Sequence, residues 1–427
     1  MNLYSLKEAL KKILPKNFLT VYHFILAFFG ALIYNFPSRK IKVIAITGTN
    51  GKTTISEMIA HLFEQSGYKI ALANSFRFKI GDKEQPNMLK MTMPGRFFIQ
   101  KFLRQAVKNQ CSFAILEATS EGIKQFRHKF IKFEEAVFSN LSPEHIESHG
   151  GFDKYRAAKG KLFQTVKNIH IINIDDKNAN YFLQFSAKKK YLYQFENQKA
   201  KIKVINQSGE ILEEINNLEI KLKLPGEFNY YNALAAICAG LSQGINLKDC
   251  QKALLDFRGV PGRMELVLNE PFKVFIDYAF TPNALEKVYQ TLKPKEKSMI
   301  CVLGACGGGR DKWKRPVLGE IAAKYCNEIV ITNEDPYDED PYQILSMIKS
   351  GIFKSQFPNS NFYEIIDRRE AIKKSLELAK PGDIVIITGK GSEPWMCLAK
   401  GKKIPWNEKK IVEEEAKKVL NKAGGIY

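Results

Sequence analysis

Residues 46–54 read Ile46-Thr47-Gly48-Thr49-Asn50-Gly51-Lys52-Thr53-Thr54. The run Lys42-Val43-Ile44-Ala45-Ile46 leading into it suits a buried parallel strand, and Ile55 to Gln65 behind it has helical apolar spacing. A glycine-rich turn between a strand and a helix N-terminus is built to hold phosphate. Gly48 and Gly51 let backbone N–H groups turn inward, Lys52 can reach terminal phosphates, and the Thr53 hydroxyl can ligate Mg²⁺. The usual loop of this kind has four residues between its first glycine and the Gly-Lys pair; here only Thr49 and Asn50 stand there. The string reads as a nucleotide-phosphate site, against the alternative of a plain strand–helix turn.

The chain has 427 residues, enough for two or three domains, and a globular composition with 45% hydrophobic and 26% charged residues. Its formal charge is +20. The lysines are spread along the chain and no nucleic-acid motif stands out, so the charge suits a solvated surface that attracts anionic substrates or an anionic membrane face. Seven cysteines include no Cys-x-x-Cys pair, which points to reduced core thiols of a cytoplasmic protein. Phe18 to Phe36 carries no Asp, Glu, Lys or Arg, and lysines precede it. Tyr22, His23, Tyr34 and Asn35 interrupt the run, and no small-residue cleavage site follows. Two readings stay open: a helix packed on the next domain, or peripheral contact with the inner membrane face.

From residue 41 to about 260, strands alternate with helices; Ala114 to Leu116, Ala136 to Phe138 and His170 to Ile172 read as buried strands. Residues 190–224 change to short alternating runs, expected as a small antiparallel insertion. A boundary falls near Val260-Pro261-Gly262-Arg263. Beyond it, strands at 273–276, 298–303, 328–332 and 383–388 with helices between them predict a parallel, doubly wound sheet. The expected fold is α/β, with an apolar helical segment over 1–38, a P-loop central domain with a parallel sheet over 39–258, and a Rossmann-like C-terminal domain over 259–427.

Glu117 ends the strand Ala114-Ile115-Leu116, where a carboxylate beside a phosphate loop is well placed for Mg²⁺. Glu144, His145, Glu147 and His149 cluster after the next strand, and His145 could be a second ligand; without cysteine partners zinc is the weaker choice. Lys159 sits on a helix from Tyr155 to Phe163, where composition alone gives a lysine no special role.

The ordered set of motifs resembles the Mur ligase family, most closely the branch that adds the third residue of the peptidoglycan stem peptide. It runs through Gly48 to Thr54, Glu117-Ala118-Thr119-Ser120-Glu121-Gly122, Asn140 to His145, Tyr155 to Phe163, and Asn229-Tyr230-Tyr231-Asn232. Gly262-Arg263-Met264-Glu265, Asp277 to Pro282, Gly309 to Pro316 and Gly389 to Glu393 continue it. The resemblance implies an ATP-dependent carbon–nitrogen ligase that works through an acyl phosphate with Mg²⁺, two ions in the family. It implies that Gly48, Thr49, Asn50, Gly51, Lys52, Thr53 and Thr54 hold the ATP phosphates, with Asn229 and Asn232 near the adenine and Asp277 near the ribose. Thr53, Glu117 and His145 would ligate Mg²⁺, and Lys159 matches a lysine that the family carbamylates to support the second ion. Arg263 would approach the γ-phosphate. Thr119, Ser120 and Arg127 would contact a muramoyl-peptide acceptor, and Arg310, Asp335 and Glu393 the incoming free amino acid.

The match has departures. Family enzymes carry an N-terminal domain for a uridine nucleotide, whereas only about 40 residues precede the phosphate-loop strand here. The acceptor's carrier is therefore left open between a uridine nucleotide and a lipid. Where diaminopimelate-selecting relatives read Asp-Asn-Pro-Arg, this chain has Glu334-Asp335-Pro336-Tyr337; two acids and no arginine favour a cationic side chain such as lysine. Phe280 and Ser392 stand where the family has histidine. A folylpolyglutamate-synthase-like or other polymer-forming ligase of the same superfamily, and a non-catalytic nucleotide-binding regulator of wall synthesis, are the competing readings.

Overall fold

The computed structural model describes residues 16–355 and 361–424. The chain forms two compact units. The first comprises residues up to Pro143, Gly151–Lys223 and Glu227–Arg258; the second comprises Glu144–Gly150, Leu224–Gly226 and Gly259 onward.

The first unit is built on one ten-stranded sheet. Its strands are β1 (Lys42–Thr47), β2 (Ile70–Ala73), β3 (Arg77–Ile80), β4 (Lys83–Pro86), β5 (Phe113–Glu117), β6 (Glu135–Phe138), β7 (Ile169–Asn173), β8 (Lys189–Glu196), β9 (Lys199–Asn206) and β10 (Ile211–Leu218). Their order is β10-β9-β8-β7-β6-β1-β5-β2-β3-β4, parallel from β8 through to β2 and antiparallel at both edges. The parallel strands are apolar on both faces because helices cover both, so Val43 to Ile46 and Ala114 to Ile115 are fully buried. The alternating stretch after residue 188 does form antiparallel hairpins. They extend the main sheet through the parallel β7–β8 pair instead of standing apart as a small insertion.

The N-terminal apolar stretch is the helix Lys16–Ile33. Ala27 and Ala31 are its buried contacts, and Gly30 faces the start of the helix Arg96–Lys108. Residues 1–15 of the expected N-terminal segment lie outside the described residues.

The second unit carries a six-stranded sheet of β11 (Glu265–Leu268), β12 (Lys273–Asp277), β13 (Met299–Leu303), β14 (Glu328–Ile331), β15 (Asn361–Glu364) and β16 (Ile384–Thr388), ordered β11-β12-β16-β13-β14-β15. All pairs are parallel except the β11 edge. A hairpin of β17 (Trp395–Cys397) and β18 (Lys403–Pro405) follows. The doubly wound sheet and its four central strands agree with the sequence reading.

Candidate functional site

In the first unit the loop after β1 is a tight cradle. Gly48 has φ 152° and Gly51 has φ 85°, and Gly51 caps the helix Lys52–Gln65. A Cβ on Gly48 would lie 1.9 Å from Ser139 Oγ, and one on Gly51 would lie 2.5 Å from Asn232 Oδ1. Both positions therefore need glycine for backbone reasons and for space. The segment after β6 straps the loop from the side. The Asn50 amide donates to Asn140 Oδ1 at 3.0 Å, and Asn140 Nδ2 and Ser139 Oγ return bonds to the Asn50 carbonyl at 3.0 and 2.8 Å. Thr49 Oγ1 accepts from the Ser142 amide and lies 3.0 Å from Tyr155 Oη. Sequence reasoning quoted Asn140 within a motif but assigned it no role, because the residues it holds are 90 positions away.

Two lysines meet on one carbonyl. Lys52 Nζ donates to the Gly48 and Thr49 carbonyls at 3.0 and 2.8 Å, and Lys159 Nζ reaches the same Gly48 oxygen at 2.8 Å. Lys159 is buried on the helix Phe152–Thr165, its ammonium 4.8 Å from the Tyr155 ring centre. Burial, with the Lys52 charge as a second cause, holds the Lys159 amine well below its ordinary pKa. Glu117 sits beside the loop because β5 pairs with β1 in register, Ile46 against Glu117. Its buried carboxylate accepts from the Ser75 amide at 3.0 Å. Thr53 and Thr54 open the loop's helix, and both are buried. Asn232 Nδ2 donates to Asn229 Oδ1 at 3.1 Å, which sets this pair against Gly51.

The backbone turn, the helix start and the lysines fit a polyphosphate. One carboxylate and one threonine hydroxyl fit Mg²⁺, which takes few protein ligands and fills its shell with water and phosphate oxygens. Among the described residues there is no group of three or more His, Cys, Asp or Glu of the kind that holds zinc. Thr119 caps the short helix Ser120–Lys124 by accepting from the Gly122 amide at 3.1 Å, and Ser120 is buried. Arg127 donates to the Met93 carbonyl and, at 2.8 Å, to Gln125 Oε1.

The second unit gathers the remaining candidates. His145 stands at φ 56° before the short helix Ile146–His149. That segment is held by Asp311, whose carboxylate accepts from the Ile146 and Glu147 amides at 3.0 Å each, and by a buried pair of Lys314 and Glu144 at 2.9 Å. Of the expected metal ligands, Thr53, Glu117 and Lys159 belong to the first unit and His145 to the second.

Arg263 lies over the Tyr278 ring at 4.2 Å, and Tyr278 Oη donates to Glu393 at 2.8 Å. Glu393 and Asp335 share the fully buried ammonium of Lys390, at 2.8 and 3.0 Å. Lys390 carried no assignment in sequence; its partner Asp335 is 55 residues away. The Cys397 amide also donates to Asp335, so that carboxylate is already well supplied with donors. Glu334 beside it accepts from the Cys306 thiol at 2.8 Å, and burial, aided by the Asp335 charge, raises its pKa. Arg310 is charged and near Cys306, Tyr278 and Glu144. Asp277 is buried, with its two oxygens accepting from the Met264 and Ala279 amides at 2.7 Å each.

Two family models match the chain: the Mur ligase middle domain over residues 46–240, and the Mur ligase glutamate ligase domain over 262–391. The UDP-N-acetylmuramoyl-L-alanyl-D-glutamate–2,6-diaminopimelate ligase of Syntrophomonas wolfei is 38% identical over 403 residues, covering 91% of this chain and 81% of that one. A solved structure of an enzyme of the same name is 32% identical with a TM-score of 0.53, covering 88% of this chain and 78% of that one. Folylpolyglutamate synthase from Mycobacterium tuberculosis has a TM-score of 0.63 at 16% identity, over 84% of this chain and 91% of that one, a likeness of fold alone. A phosphate cradle with a buried lysine on its carbonyl, a doubly wound second unit and these matches together make the chain a member of the Mur ligase family of ATP-dependent acid–amino acid ligases.

Proposed function

We propose that this ligase joins the terminal carboxylate of a muramoyl peptide to the amine of a free amino acid during peptidoglycan synthesis in the cytoplasm. The observation that carries the site assignment is the convergence of Lys52 and Lys159 on the Gly48 carbonyl inside a glycine cradle. A carboxylate is a poor acyl donor because oxide is a poor leaving group. ATP supplies the phosphoryl group that makes phosphate the leaving group. The incoming amine then adds to the acyl carbon, and the tetrahedral adduct collapses to the amide, releasing phosphate and a proton. Lys52 balances charge on the transferred oxygens, and Thr53 and Glu117 would hold Mg²⁺, which neutralises phosphate charge when bound.

In this reading Lys159 acts after modification. Burial lowers the pKa of its amine and so favours the free base that attacks CO₂, and the carbamate so formed would be a carboxylate able to support a second ion. Asn229 and Asn232 hold the adenine side of the nucleotide. Thr119, Ser120 and Arg127 take the acceptor peptide. His145, Arg263 and Asp277 keep the metal- and nucleotide-facing roles that their motifs imply. Arg310 and Glu393 bind the amino acid, and Asp335 positions Glu393 through Lys390. The added residue is a diamino acid with a distal ammonium, consistent with the acid Glu334 and with relatives named for diaminopimelate. The test is mass spectrometry of products from ATP, a panel of muramoyl dipeptides and mixed amino acids. Turnover without any new amide, or addition of neutral residues in preference to lysine and diaminopimelate, refutes the assignment.

A further inference from the structure

The helix Lys16–Ile33 buries few of its apolar side chains. Val21, Tyr22, Phe24, Ile25, Phe28, Phe29, Leu32 and Ile33 are 39–64% exposed. Phe24 and Phe28 lean on Phe130 at 5.2 and 5.4 Å between ring centres, which fixes the helix to the first unit while its outer face stays open. A helix that is apolar nearly all round is not a stable water-facing element. Among the described residues no helix is long and apolar enough to cross a membrane.

Beneath the helix lies a cluster of cations, with the Glu121 carboxylate acting on Arg127. Arg96 donates to the Gln125 carbonyl at 3.0 and 2.8 Å, and Arg127 donates to the same residue's side chain at 2.8 Å. Neither guanidinium forms a salt bridge among the described residues. Arg127 Nε and His23 Nδ1 are buried with no hydrogen-bond partner. His23 lies on the apolar helix and feels both arginines: burial first, then their charges, lower its pKa. In sequence the helix is preceded by Lys7, Lys11 and Lys12, and the whole chain carries a formal charge of +20.

We propose that this helix lies in the interface of an anionic phospholipid bilayer and that His23, Arg96 and Arg127 receive a lipid phosphate. Exposed aromatic and aliphatic side chains enter the headgroup boundary while basic residues meet the phosphates. A second copy of the chain fits the same face poorly, since it would bring a like-charged cluster and a like-charged molecule against it. The proposal rests on the ligase reading in one respect: Arg127 is also an acceptor contact there, so docking sets the acceptor pocket at the membrane surface and favours an acceptor carried on a lipid phosphate.

The test is flotation of the full chain with phosphatidylcholine vesicles, with and without phosphatidylglycerol. Wild type is expected to float with the anionic vesicles, and to lose most of that binding in the double variant Phe29→Ser, Ile33→Ser and in Arg96→Gln. The double variant is expected to keep its turnover of a soluble acceptor, which shows that it folds. Wild type that stays below both vesicle types overturns the proposal. So does a dimer in sedimentation that the double variant dissociates. Flotation and ligation are separate readouts: vesicle binding without any amide product would sink the ligase reading and leave docking intact.

Discussion

At the scale of single residues, the phosphate cradle was legible because its geometry is local. Two glycines, a lysine and a threonine within seven positions announce a strand–turn–helix on their own. Gly51→Ala would put a methyl group 2.5 Å from Asn232 Oδ1 at a φ of 85°. ATP-dependent phosphate release is expected to fall by on the order of 100-fold, with the fold intact by circular dichroism. Lys159 was the opposite case. Its helix was readable, but a lysine on a helix is usually solvated, and only the assembled unit shows its ammonium buried on a carbonyl. Lys159→Ala should lose roughly 100-fold or more in rate, as removal of a charge-stabilising group does. Wild-type activity should fall when dissolved CO₂ and bicarbonate are stripped and recover when they are returned. Insensitivity to bicarbonate would count against the carbamate.

At the scale of elements, β6 starts with a buried acid. Glu135 accepts from Ser242 and Gln243, and burial raises its pKa to about 8. In the unfolded chain it ionises near the ordinary value of 4.5. Below that both states hold the proton. Between the two values the folded state holds a proton that the unfolded state has lost, so stability drops as pH rises, by about 1.4 kcal/mol per unit for one group, and levels off above about 8. Glu135→Gln should therefore gain on wild type in urea denaturation between pH 5 and pH 8; an unchanged difference would refute the assignment.

In the second unit Arg368 and Glu408 form a fully buried pair joining the helices Arg368–Leu378 and Glu408–Gly424, with Trp406 Nε1 donating to Glu408 at 2.6 Å. Removing one partner leaves an uncompensated charge, so Glu408→Ala should cost about 3–5 kcal/mol in the denaturation of that unit. Neither residue was singled out in sequence, since nothing in a charge pattern says which of many ion pairs is dry. The short strands β11, β15, β17 and β18 were missed for a related reason: three to four residues carry too little periodicity to read.

At the scale of the whole molecule, the sequence pattern separated two α/β regions but not the threads exchanged between them. The three tryptophans, Trp313, Trp395 and Trp406, all fall in the second unit. Tryptophan fluorescence and far-ultraviolet circular dichroism should therefore give non-coincident denaturation curves; superposable curves would mean that the chain unfolds as one cooperative body. The second unit also recruits Glu144–Gly150 and Leu224–Gly226 from within the stretch of chain that builds the first. No single incision can then divide this protein into its halves. A C-terminal fragment beginning at Gly259 would be born with the Lys314 ammonium stranded in its interior and Asp311 robbed of two amides, and a synthetic heptapeptide of Glu144–Gly150 supplied in trans is what would restore those contacts.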